Sequence, residues 1–229
     1  MSDIRIRVWD LPTRIFHWAL VLAVVAAIIS GQLGGNLIEV HGKIGLGIVG
    51  LVVFRLVWGF VGSTYARFVQ FVPTPARIRA YLKGDWRGEG HNPLGALSVL
   101  GLLALLLCQL LTGLVANDDI AFRGPLFDLV GEALSNRLTG LHHKVGDLLI
   151  GLIVLHVAAI VFYVRFRKQN LVKPMLTGWK EDGDGVSAKG GGIVAVVVAV
   201  LLAGLAIYAA SGAWMPPPPP PPAVSTPNW

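Results

Sequence analysis

Six histidines, at positions 17, 41, 91, 142, 143 and 156, are the residues in this chain best suited to chemistry. Three of them bracket one nearly uncharged stretch, LHHKVGDLLIGLIVLHVAAIVF, from Leu141 to Phe162. Fourteen residues separate His142 from His156. On an α-helix that is roughly 21 Å of rise and about 1400° of rotation, some 40° short of four turns. The two imidazoles therefore share one helix face at two heights. His143 is thirteen residues from His156, about 1300°, and points the other way. Two imidazoles on one face of a membrane helix, about 20 Å apart, suit two stacked haems. A non-haem metal would gather its ligands at one height with carboxylate or thiolate help, and no such helper accompanies either histidine. The other reading is that the histidines are interhelical hydrogen-bonding residues. The single cysteine, Cys108, lies in an apolar run and reads as a small apolar filler. No C-x-x-C-H is present, so no c-type haem is expected.

The elements that must position these residues are membrane spans. The chain has 229 residues, 54% hydrophobic and only 14% charged, against about 25% charged in soluble domains. Mean hydropathy is +0.66. Five apolar segments, roughly 13–34, 39–61, 94–115, 141–164 and 192–214, each cover about 30 Å as helices, one bilayer core. The first follows Asp10-Leu-Pro12, a helix start with proline in the first turn. Its apolar run is long and no small-residue cleavage site follows, so it is not read as a cleavable signal.

Charge sets the expected orientation. Arg5, Arg7 and Arg14 precede the first span, Arg67, Arg77, Arg79, Lys83 and Arg87 follow the second, and Arg165, Arg167, Lys168, Lys173, Lys180 and Lys189 follow the fourth. The alternate side has Lys43, Arg123, Arg137 and Lys144, offset by Glu39, Asp118, Asp119, Asp128 and Glu132. The positive-inside rule puts the N-terminus in the cytoplasm and, after five spans, the C-terminus outside. The sequence pI of 9.8 thus reflects topology, and no nucleic-acid partner is expected. The partners implied by the spans are membrane lipids.

With that orientation, depth pairs the histidines. His17 and His156 lie near the inner side, His41 and His142 near the outer. His91 sits in the turn Gly90-His-Asn-Pro93 before the third span and reads as a cap or loop residue. His143 reads as facing headgroups or another helix. Arg55 lies fourteen residues after His41, on the same face and about 21 Å deeper. It is placed to meet the carboxylates of the inner haem, or to snorkel to the inner surface. Gly42, Gly45 and Gly50 on that helix give room for a flat macrocycle or for ordinary helix packing. In the loop 116–140, apolar residues at three- and four-residue steps predict a short amphipathic helix on the membrane surface. A Gly- and charge-rich linker is expected at 181–191, and seven prolines from Pro216 predict a stiff polyproline spacer.

The motifs together resemble a known family. Val8-Trp-Asp-Leu-Pro-Thr-Arg-Ile-Phe-His17-Trp18, His41-Gly42, Arg55, Gly90-His-Asn-Pro-Leu-Gly95, Gly124-Pro-Leu126, His142 and His156 are similar to the pattern of bacterial cytochrome b561-type proteins. These include the b-type cytochrome subunits of nickel-iron hydrogenases. The resemblance covers about residues 5–180. It implies a four-helix bundle holding two b haems, with His17, His41, His142 and His156 as axial ligands, and electron exchange with the quinone pool and a redox partner.

The expectation is an all-α integral membrane protein: a four-helix transmembrane bundle binding two haems over 1–180, a linker, a fifth helix at 192–214 and a proline-rich external tail at 215–229. Its pairs are His17–His156 and His41–His142, with Arg55 beside the inner haem. It would be a di-haem b-type cytochrome of the bacterial inner membrane, carrying electrons in a respiratory chain between quinone and a periplasmic redox protein such as a hydrogenase or c-type cytochrome. A homodimer is compatible with this. The alternatives are a stand-alone quinone reductase drawing on a small donor such as superoxide, and a non-redox scaffold or transporter whose histidines join helices.

Overall fold

The computed structural model describes residues 5–120, 122–181 and 185–216. The expected polyproline spacer lies, beyond Pro216, outside the described residues. A two-residue strand β1 (Ile6–Arg7) leads into α1 (Leu11–Leu33), and α2 (Ile38–Val61) returns. Two short helices, α3 (Phe68–Phe71) and α4 (Pro75–Lys83), precede α5 (Pro93–Gly113). Then come α6 (Glu132–Arg165), α7 (Val172–Thr177), strand β2 (Trp179–Lys180) and α8 (Ile193–Ala210). Five of these, α1, α2, α5, α6 and α8, are long and apolar enough to cross a membrane.

Local chemistry sets the helix starts. Asp10 caps α1, its Oδ1 accepting from Thr13 N at 2.7 Å, with Pro12 in the first turn. Thr74 caps α4 ahead of Pro75, accepting from Arg77 N. Asn92 caps α5 ahead of Pro93, accepting from Gly95 N at 2.7 Å.

The closely packed helix pairs are α1 with α2, α2 with α5, α5 with α6, and α2 with α8. Val24 of α1, Ile48 and Val52 of α2, Leu106 of α5 and Leu149 of α6 form the buried apolar centre. Leu149 is seven residues from both His142 and His156, so this centre sits between the two histidine levels. The fifth span, α8, lies against the back of α2. Ala199 packs with Trp58 and Ala66, and a Cβ added at Gly50 would come within 2.5 Å of Ile207 Cδ1. Gly50 therefore serves helix packing.

The face that carries the N-terminus is closed by long-range pairing. Ile6 pairs with Lys180 and Arg7 with Trp179 in an antiparallel ribbon. Gly178 has φ +89°, a left-handed conformation that favours glycine. Its carbonyl accepts from Val8 N and Trp9 N at 2.9 and 3.2 Å. The stretch expected to link the fourth and fifth spans is tied to the same face. Ala188 N donates to Arg7 O at 2.7 Å, Tyr65 Oη donates to Val186 O at 2.5 Å, and Glu89 takes Lys180 Nζ at 2.7 Å and Gly185 N at 3.0 Å.

The opposite face differs from the sequence expectation. No separate amphipathic helix spans 116–140 among the described residues. There is one turn of 3-10 helix at Phe127–Leu129, a break at Gly131 with φ +73°, and then α6 begins at Glu132, nine residues before the expected start. The apolar periodicity continued across a glycine that reverses the backbone. At 34 residues, α6 is about 51 Å long, well beyond a bilayer core of about 30 Å. Its projecting first turns hold the loop: Asn117 Nδ2 donates to Ser135 Oγ at 2.5 Å, and Ser135 Oγ to Val115 O at 2.7 Å.

Candidate histidine sites

At the end of the bundle away from the N-terminus, α2 supplies His41 and α6 supplies His142. Their ring centroids are 6.0 Å apart. Each ring is anchored through Nδ1. His41 Nδ1 donates to Ala27 O of α1 at 2.8 Å. His142 Nδ1 donates to Gln109 O of α5 at 3.0 Å, with Thr112 Oγ1 a further neighbour at 3.2 Å. An Nδ1–H held by a carbonyl leaves the lone pair on Nε2, the state in which imidazole binds metal. With metal–imidazole bonds of about 2 Å, one ion between two such rings sets centroids about 6 Å apart. His142 Nε2 accepts from the Gln109 side-chain amide at 3.0 Å, and Gln109 must release it for any metal to bind there. His143 is exposed, while His142 is half-buried.

Two glycines make this site possible. A Cβ at Gly31 would lie 2.9 Å from His41 Nδ1, and one at Gly113 would lie 2.8 Å from His142 Cε1. Gly45, one turn from His41 on the same face, faces open space with nothing within 4 Å of an added Cβ. Gly42 instead makes room for Phe122, at 3.1 Å. Of the three glycines singled out in α2, only Gly45 keeps the side of His41 clear for a flat group.

At the N-terminal end, α1 supplies His17 and α6 supplies His156, both half-buried. They are near enough to act on each other electrostatically. His156 Nδ1 lies 3.2 Å from Ser98 Oγ of α5. Arg55 is 3% exposed; it does not snorkel. Its guanidinium sits over the rings of Phe68 and Phe71, 4.9 and 5.8 Å from their centroids. Its Nη1 is buried with no hydrogen-bond partner, and no carboxylate among the described residues forms an ion pair with it. A buried cation in that condition fits an incoming carboxylate.

The turn before α5 brings a further histidine to this level. His91 stands between the rings of Trp9 and Phe71, 4.7 Å from each centroid. Burial pulls its pKa down to about 3, helped by the charges of Arg55, His156 and His17. It therefore belongs to the same cluster as those three. The available signal was depth: His91 precedes the third span by two residues, at the level of His17 and His156. Among the described residues, no three His, Cys, Asp or Glu side chains gather as a metal site. Each level offers a pair of imidazoles without a carboxylate ligand.

The model of the family described as prokaryotic cytochrome b561 matches residues 8–178. The chain belongs to the prokaryotic cytochrome b561 family. It is 23% identical over 141 residues to the "Probable Ni/Fe-hydrogenase 1 B-type cytochrome subunit" of Escherichia coli (strain K12), a match covering 49% of this chain and 60% of that one. It is 24% identical over 220 residues to the "Probable Ni/Fe-hydrogenase B-type cytochrome subunit" of Azotobacter vinelandii, covering 76% of this chain and 87% of that one. No solved structure matches. As a member of this family with five helices long and apolar enough to span, the chain is a multi-pass membrane protein. The anchored Nε2 lone pairs, the clear space at Gly45 and the unpaired Arg55 cation are what a haem with two carboxylates needs from its protein.

Proposed function

We propose that this cytochrome binds two b haems, one between His41 and His142 and one between His17 and His156, and passes electrons between quinone and a redox partner. The N-terminal face is cytoplasmic and the protein lies in the bacterial inner membrane, a reading supported by the arginines and lysines gathered on that face. The observation that carries the proposal is the pairing of histidines at two levels about 21 Å apart along α6, with the apolar centre around Leu149 between them.

Haem b, when bound, would supply a one-electron iron couple, and two imidazoles holding it would favour electron transfer over oxygen chemistry. The protein residues do the rest. Ala27 O and Gln109 O orient His41 and His142 through Nδ1, and Ser98 does so for His156. Arg55 offers its charge to haem carboxylates at the inner level. Val24, Ile48, Val52, Leu106 and Leu149 keep water and protons out between the levels.

The partner proposed is a hydrogenase-like redox protein, in keeping with two relatives named as Ni/Fe-hydrogenase cytochrome subunits, and the outer face is its proposed docking surface. The fifth helix packs against the back of α2, beside Phe54, Val57 and Trp58, and is assigned a supporting role. The test is the haem content of the purified, full-length protein. Two haems per chain by pyridine haemochrome, with a Soret band and a reduced α-band, are expected. One haem or none would overturn the di-haem proposal.

A further inference from the structure

We infer that His91 is a positioning residue for the inner haem, donating a hydrogen bond to a carboxylate that Arg55 neutralises. This rests on the proposed inner site between His17 and His156.

Three observations lead to it. First, His91 Nδ1 and Arg55 Nη1 are both buried without a hydrogen-bond partner. A buried, unmet donor costs about 1–3 kcal/mol, and two at one place mark a site built for an acceptor. Thr13 Oγ1, one turn before His17 on the same face, is a third buried polar atom without a partner. Second, the residues that fix these donors are aromatic and offer no competing acceptor. Trp9 and Phe71 hold the His91 ring, and Phe68 and Phe71 hold the guanidinium. Phe71 is common to both, so the two donors are set by one shared ring. Third, the described carboxylates beside these donors are already engaged: Glu89 takes Lys180 Nζ and Gly185 N. Asp10 spends Oδ1 on Thr13 N and Oδ2 on Trp58 Nε1, at 2.7 and 3.0 Å. Among the described residues no free carboxylate meets these donors, and the acceptor inferred is a haem carboxylate. His91 also forms part of the wall of a cavity of about 190 Å³ shared with Tyr65, Arg77, Trp86 and Glu89.

The charge logic gives a direction. A donor on a haem carboxylate offsets its negative charge and favours the reduced iron. Removing the donor lowers the midpoint potential of that haem alone.

Two substitutions separate a donor from a packing residue. His91→Phe keeps an aromatic ring between Trp9 and Phe71 and removes the N–H. His91→Gln keeps an N–H and removes the ring. Both are made in the full-length protein and in a His142→Ala background, where only the inner haem should remain, and the potentials are titrated optically. The expected result is a lowered inner potential in His91→Phe, a potential near wild type in His91→Gln, and an outer potential unchanged in both. A wild-type potential in His91→Phe, or the reverse order of the two variants, overturns the inference. Haem counts are read first. A chain lacking the inner haem overturns the inner-site proposal as well, whereas two haems with an unmoved potential overturn only the role of His91.

Discussion

The rings of His41 and His142 stand 6.0 Å apart although 101 positions separate them in sequence, and each is fixed by a backbone carbonyl from a different neighbouring helix. Four helices thus converge on one pair: α2 and α6 provide the rings, and α1 and α5 hold them. His143 is adjacent in sequence yet exposed, one hundred degrees round the helix. His142→Ala is expected to remove one of two haems per chain, and His143→Ala to leave both. Pyridine haemochrome titration against protein concentration reads the difference directly, and the opposite result would exchange the ligand assignment.

Gly31 and Gly113 carry a prediction that separates helix stability from haem binding. Alanine is favoured over glycine inside a helix by about 1 kcal/mol, so each Gly→Ala change should help its helix. The added Cβ would stand 2.9 Å from His41 Nδ1 or 2.8 Å from His142 Cε1, inside ordinary contact distance. Either ring must turn away from its carbonyl. Gly31→Ala and Gly113→Ala are expected to keep wild-type helicity by circular dichroism while losing or broadening the outer haem signal. Full haem content with an unchanged spectrum would show that the rings have room to spare.

Asp10 joins the first turn of α1 to α2 through Thr13 N and Trp58 Nε1. Trp58 is fully buried. Asp10→Ala removes a helix cap, about 1 kcal/mol, and leaves a buried indole N–H without an acceptor, about 1–3 kcal/mol more. The melting temperature in detergent should fall by several degrees, and the inner haem should be lost before the outer on heating. Asp10→Asn, which keeps an oxygen for Thr13 N, should fall between. An unchanged melting temperature in Asp10→Ala would remove this residue from the account.

Arg55 is expected to respond to both charge and shape. Arg55→Leu should lower the inner haem potential and leave the outer one in place, because the cation that favours the reduced state is gone. Arg55→Lys keeps the charge but gives up the planar group over Phe68 and Phe71, an interaction of about 0.5–2 kcal/mol. It should hold the potential closer to wild type while lowering thermal stability. Equal potentials in all three proteins would mean that no haem carboxylate lies near the guanidinium.

Much of this was legible from spacing. Fourteen residues between His142 and His156, and again between His41 and Arg55, are short-range facts about helix rotation. So is the choice of His142 over His143 as the ring turned inward. What the spacing did not carry depends on contacts between distant segments. The pairing of Ile6 with Lys180 has no local signature, and neither has the hold of Tyr65 on Val186. The periodic apolar residues of 122–138 looked helical throughout, but Arg123 bridges back to Asn117, 125–126 turn, and the positive φ at Gly131 delays the start of α6. His91 is the loop residue its turn predicts, but its contacts with Trp9 and Phe71 come from two other parts of the chain.

The same burial gives His91 a signature in acid, best read in haem-free protein, where no carboxylate from a haem can offset it. Its folded pKa is near 3, against about 6.5 in an unfolded chain. Between those values the unfolded chain binds the proton and the folded one does not, so folding stability falls as pH falls. The contribution is complete above pH 6.5 and is lost at about 1.4 kcal/mol per pH unit towards pH 3. Melting temperatures of the haem-free protein in detergent should therefore decline from pH 6.5 downward, and His91→Phe should flatten that decline. Loading with haem should flatten it too, since a carboxylate beside the ring favours its protonated form. A decline of the same steepness in wild type, His91→Phe and loaded protein would place the acid sensitivity elsewhere in the chain.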